Sequence, residues 1–253
     1  MRSIKHLACV CAILLVTSRA LPQAKPETST YSKQAVISES GATVKVDANN
    51  PRPLEQTLGA LQQKYGWVVN YEDPQYVSQA DLSEGEGPGG SKLPRGGRFS
   101  VEFPLGQEKE KSVQAVLDAY NRSENPGRFE LRKISDALVV VGVEAHDAQG
   151  KLSPQKPVLD TPITLPTKQR SATDSLNLIC RKIALQRGIP VNIGISPRNV
   201  MNHNNVGIGG TKVSARDLLI RTLAGTHRNL YWRLLFDPKS KGYFLNIHQV
   251  PKS

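Results

Sequence analysis

Hydrophobic positions along the chain change period several times, and each change marks a helix or a strand. Leu54, Leu58 and Leu61 recur at i, i+4 and i+7 and stop at Gly66, which predicts an amphipathic helix closed by a glycine. Leu176, Ile179, Cys180 and Ile183 draw the same stripe, with Thr173 as the expected cap and Gly188 as the stop. After each glycine comes a short apolar strand, Trp67–Tyr71 and Ile189–Ile193, and both carry Val-Asn at the same offset. A further helix is predicted after Ser112, with Val113, Val116, Leu117 and Tyr120 facing inward. Its counterpart follows Ser214, with Ala215, Leu218, Leu219 and Leu223. Serine suits both caps because its hydroxyl accepts from an unpaired N–H of the first turn. β-Branched and aromatic residues around turn formers predict two hairpins, Phe129–Ile134 with Ala137–Gly142 and Tyr231–Asp237 with Tyr243–Gln249.

The same elements therefore occur twice in one order. Extended stretches, Thr43–Asp47 and Ile163–Thr167, open the two halves, and Phe99–Phe103 and Val206–Gly210 return as strands before the second helices. Between these lie loops that diverge, a glycine-rich one over 83–98 and an asparagine-rich one over 196–205. Two helices to several short strands predict an α+β fold of two tandem small sandwiches, each β-α-β-loop-β-α-β-β. The first is expected at 40–146 and the second at 158–250, with the proline-containing, polar segment 147–157 as linker.

The N-terminus adds a compartment. Arg2, Lys5 and His6 precede the apolar run Leu7–Thr17, and Ser18-Arg19-Ala20 supplies small residues where a signal peptidase reads. The run is too short for a bilayer, which takes roughly 20 residues. Residues 1–20 are thus expected to be a cleaved signal peptide and 21–39 to be disordered, being rich in Ser, Thr, Lys and Pro. Export implies the periplasm, with secretion as the alternative. Of three cysteines only Cys180 lies beyond the leader, so packing must hold the fold, and its place on a helix stripe predicts a buried thiol. The chain carries 33 basic and 22 acidic residues, a net charge of +11 that falls to +8 without Arg2, Lys5 and Arg19. That surplus favours anionic partners.

Residues that carry chemistry are few. Gly85–Gly90 has the glycine spacing of a dinucleotide loop, but Pro88 and the following Ser-Lys-Leu-Pro deny it the helix N-terminus that would face a pyrophosphate. Gly207–Lys212 lacks the Gly-Lys-Ser/Thr ending of a phosphate loop and reads as strand glycines. His146, His203, His227 and His248 have no partner at metal-ligand spacing. Arg216 and Asp217 start a helix, where the acid complements the dipole. Asn121-Arg-Ser123 is a formal glycosylation sequon, of consequence only in a eukaryote. Trp67 and Tyr71 are expected in the core, whereas Tyr76, after the Asp73-Pro74 turn, is expected at the surface. No catalytic, cofactor-binding or metal-binding residue is assigned, no cofactor is expected, and the chain is read as a binding protein rather than an enzyme.

Ile163-Thr-Leu-Pro, the run Ser175–Gly188, Val191-Asn-Ile193, Val213–Leu219, Leu223-Ala-Gly-Thr226 and Leu230-Tyr-Trp-Arg233 together resemble a known pattern. It is the short N-terminal domain of secretins and TonB-dependent receptors, and the first half looks like a more diverged copy. The resemblance implies a free-standing tandem of such domains in the periplasm, working by contact with an envelope protein of secretion, transport or signalling. Two other readings are weighed against it: an electrostatic binder of an anionic polymer (glycan, lipopolysaccharide or DNA), and an enzyme with a site between the halves.

Overall fold

The computed structural model describes residues 35–49, 51–83 and 92–250, and the expected leader and the Gly85–Gly90 loop lie outside them. The first half runs β1 (Val36–Ser40), β2 (Thr43–Ala48), α1 (Pro53–Tyr65), β3 (Val69–Glu72), β4 (Leu82–Ser83), β5 (Leu93–Pro94), β6 (Phe99–Pro104), α2 (Lys109–Arg122), β7 (Arg128–Ile134) and β8 (Ala137–His146). After β9 (Leu152–Pro154), the second half runs β10 (Pro162–Ser171), α3 (Ala172–Arg187), β11 (Val191–Ile193), α4 (Arg198–His203), β12 (Asn205–Ser214), α5 (Ala215–Ala224), β13 (Leu230–Asp237) and β14 (Gly242–Gln249). The mixed α+β architecture expected from the residue pattern is present, with α4 added in the asparagine-rich loop.

The pairing repeats as the sequence does. β2 pairs antiparallel with β6, and β10 with β12. β7–β8 and β13–β14 are the predicted hairpins. β3 lies parallel to β8, and β11 parallel to β14. Each half is thus a pair of helices packed on a small sheet and a hairpin-plus-one sheet. One further pairing joins them: β13 runs parallel to β3, with Arg233 opposite Tyr71 and Leu234 opposite Glu72. The result is one sheet in the order β11-β14-β13-β3-β8-β7.

The halves cover opposite faces of this sheet. In β8, Leu138 and Val140 enter the first core beside Val69, Tyr71 and α2, while Val139 and Val141 enter the second core beside Trp232, Leu234 and α5. A strand buried on both faces reads as a continuous apolar run, which explains Leu138–Val141. The same double cover buries all four residues of β3.

Local chemistry explains the differences from the residue pattern. Gly66 and Gly188 close their helices at positive φ (67° and 65°) as predicted. The Ser214 hydroxyl caps α5 by accepting from the Asp217 N–H at 3.1 Å. α3 is capped by Ser171 rather than Thr173, the Asp174 N–H donating to it at 3.0 Å. α2 begins earlier, at Lys109, so Ser112 is buried inside its first turn and donates to the Glu108 carbonyl. Short strands occur where none was expected, among them β4 and β5, which pair with each other across the start and interior of the glycine-rich 83–98 segment. β1, which begins within 21–39 and ends at Ser40, pairs with β2, and β9, within the linker segment, pairs with the end of β8. Val158 and Leu159, which follow that segment, are buried in the second core. Tyr76 is also buried, because the chain past Pro74 turns inward beside Leu82 rather than outward.

Candidate functional site

Two features of the central sheet matter for function: the joint at its centre and the edges at its ends. The joint is polar although buried, and most of its groups are matched, Arg216 Nε and the Trp232 indole N–H being left without a partner among the described residues. The Asn70 side chain accepts from the Trp232 N–H at 3.0 Å and donates to the Leu138 carbonyl at 3.3 Å. Asp73 accepts from Arg52 Nε at 2.8 Å, from the Phe236 N–H at 3.0 Å and from the Tyr71 hydroxyl at 2.7 Å. Arg233 of β13 pairs with Glu55 of α1 at 3.2 Å and donates to the Val69 carbonyl. On the opposite face Glu72 accepts from the Leu159 N–H at 3.0 Å and from Arg216, which also reaches Asp160. Asp160 in turn pairs with Arg132 of β7 at 2.8 Å.

Burying these charges is tolerable only because they meet one another. Burial pushes the Glu72 carboxyl above its usual range, and Arg216 and the Leu159 N–H offset part of that rise. For Arg52 burial, the largest single influence, would lower the pKa, but Asp73 together with Tyr71 and Tyr76 outweighs it and the guanidinium is held above its ordinary value. The network staples two halves together and presents no free nucleophile or base. Arg216, read as a helix start, thus has a larger part than its position in sequence suggested. Only its partner 144 residues away in sequence reveals it.

The remaining candidates from the sequence fall elsewhere. His146 Nδ1 lies 2.7 Å from Asp81, His203 Nδ1 lies 2.8 Å from the Asn199 carbonyl, and His248 stacks on Tyr231. Among the described residues no group of three His, Cys, Asp or Glu side chains is placed to hold a metal. Gly207–Lys212 is part of β12, where a Cβ on Gly209 would lie 2.4 Å from the Thr167 backbone. The Asn121 side chain is engaged in tying α2 to both the N–H and the carbonyl of Phe129. Trp67 stacks on Tyr65 and Tyr71 on Phe129, packing contacts in the first half. The cleft between the halves holds about 280 Å³ and is lined by Asp73, Gln75, Asp147, Ser153, Gln155 and Arg187, with the Ser153 hydroxyl donating to Asp147 at 3.0 Å.

His248 carries a pH prediction. Burial, with Arg233 nearby, holds its pKa below the ordinary value. A depressed folded value means that its contribution to stability is complete above about pH 6.5 and is lost as pH falls through the folded value. Chemical denaturation at pH 7 and pH 5 should therefore show a loss on acidification that shrinks in His248→Gln. Cys180 is buried as predicted, which pushes its thiol up to about 12. Iodoacetamide at pH 8 should leave the Cys180 peptide unmodified in the native protein and label it once urea unfolds the chain.

The ends of the central sheet are where backbone remains to be paired. Among the described residues β7 pairs with β8 alone and β11 with β14 alone. β7 carries Arg128, Glu130, Arg132 and Lys133, a charged edge of the kind that discourages strand addition. β11, Val-Asn-Ile, has no charge, and Leu185 and Ile195 close to it in sequence are 75% and 66% exposed. Tyr243 donates to the Pro190 carbonyl and Gly194 to the Leu245 carbonyl. Alternation along the strand then turns the backbone of Val191 and Ile193 outward. No helix of the described residues is long and apolar enough to cross a membrane. No family model, curated protein or solved structure matches the chain.

Proposed function

We propose that the chain is an exported, periplasmic protein-interaction module of the cell envelope, binding a component of secretion, transport or signalling machinery. The observation that carries this reading is the uncharged, unpaired edge of β11 on a fold whose own halves are joined by strand-to-strand pairing of β13 with β3. Backbone pairing at an open edge supplies affinity, and side chains alternating along the added strand supply specificity. The resemblance of the second half to the secretin and TonB-receptor short domain supports the same reading, as does the leader-like N-terminus. The test is crosslinking and capture from the envelope of the source organism at low and high salt. Recovery of one protein at both salts is the expected result. Recovery of anionic polymer alone, lost at high salt, would replace this reading with the electrostatic one suggested by the net charge of +8 that remains without Arg2, Lys5 and Arg19.

A further inference from the structure

The internal repeat makes one half a control for the other. Leu54, Leu58, Leu61 and Gly66 of the first half correspond to Leu176, Cys180, Ile183 and Gly188 of the second, and Val69-Asn70-Tyr71 to Val191-Asn192-Ile193. In the first half the space beside α1 and β3 is filled by β13, whose Arg233 reaches under α1 to Glu55 and to the Val69 carbonyl. The Asn70 amide meets the incoming strand by accepting from the Trp232 N–H. In the second half the corresponding space beside α3 and β11 is a groove of about 500 Å³, open to solvent, lined by Asn177, Arg181, Ala184, Val191, Asn192 and Ile193. Asn192 is exposed where its counterpart Asn70 is buried under β13.

The chemistry of the groove differs in one respect. Glu55, Gly59 and Gln62, spaced along one stripe of α1, correspond to Asn177, Arg181 and Ala184 on α3. The acid that receives Arg233 is gone and a cation stands one turn away. Arg181 is exposed and makes no ion pair with a described residue. A strand entering here meets Arg181 with the residue that occupies the place of Arg233.

We infer that the groove between α3 and β11 accepts an extended segment of a partner protein, added parallel to β11 as β13 is added to β3, with an acidic side chain against Arg181. This rests on the interaction-module reading and names its site. The overall basic charge favours the same acidic partner segment.

The probe is a fluorescent peptide of residues 230–237 carrying Arg233→Glu, compared with the same peptide without the substitution, in anisotropy titrations against the full chain. The acidic peptide should bind at least 10-fold more tightly, and Arg181→Glu should reverse the preference. Ile193→Pro should abolish binding of both peptides while leaving the pairing with β14 in place, because the lost N–H points outward; circular dichroism checks the fold of each variant. No binding, or binding indifferent to both substitutions, overturns the proposal. Self-association that rises with concentration and is lost in Ile193→Pro also overturns it, by making a second copy the occupant. The envelope capture separates the two readings. A partner retained by Ile193→Pro leaves the module reading and removes the groove. Peptide binding with no partner captured by the wild type leaves the groove and removes the module reading.

Discussion

Arg216→Met should destabilise the protein by about 4 kcal/mol, because it leaves the Glu72 carboxylate buried beside only the Leu159 N–H. For a chain of this size each kcal/mol moves Tm by roughly 2–4 °C, so a fall of about 10 °C is expected in calorimetry. Two companion measurements identify the cause. In the variant the Glu72 pKa rises further above its unfolded value. A raised folded value makes stability fall as pH climbs through it, so the variant should recover part of its loss between pH 7 and pH 5. The double variant Arg216→Met, Glu72→Gln should be less destabilised than Arg216→Met alone, since no unpaired charge is left behind. Equal loss in the single and double variants would assign the effect to packing of the arginine stem.

Trp232→Ala should cost a similar amount, about 3–5 kcal/mol, through a cavity at the centre of the second core. Trp232 is fully buried on β13, the strand that joins the halves, and its backbone N–H is held by Asn70. Its indole Nε1 is buried without a hydrogen-bond partner. Phenylalanine removes that orphaned donor while keeping most of the ring volume, so Trp232→Phe should cost well under half as much as alanine. Urea denaturation followed by far-UV circular dichroism gives both numbers. Because Val139 and Val141 of the first half pack in the core that Trp232 fills, both variants should unfold in a single transition.

The residue pattern reveals local structure better than the long-range joint. Leucines at helical spacing, the paired Val-Asn strands and the two hairpins could be read directly, because each is set by neighbours within a few residues. α4 escaped detection because six residues, Arg-Asn-Val-Met-Asn-His, offer only the buried Met201 and no periodic stripe. β1 and β9 were hidden in polar segments, since an edge strand with one covered face needs little apolar content. The union of the halves was signalled only faintly. Leu138-Val-Val-Val141 is too apolar for a strand with one wet face, and the run marks a strand covered on both sides. Glu72 and Arg216 gave no signal at all, because an acid in a short strand and a base in a helix look like surface residues until the fold sets them side by side. The groove beside β11 was equally invisible. Its meaning comes from its filled counterpart in the first half, which only pairing of β13 with β3 reveals.

That pairing also sets an order of events during folding. Asn70 and the backbone of Trp232 that it holds are 162 residues apart, so the central sheet closes only when the last strands of the chain become available. Until then the first half has β3 with one edge bare and Glu72 and Asp73 without their arginine and backbone partners from the second half or its border. Contacts of such long sequence separation slow folding and leave unpaired edges exposed in the interval. The chain therefore passes through a stage in which its first half is a strand acceptor in its own right, and the arrival of β13 ends it.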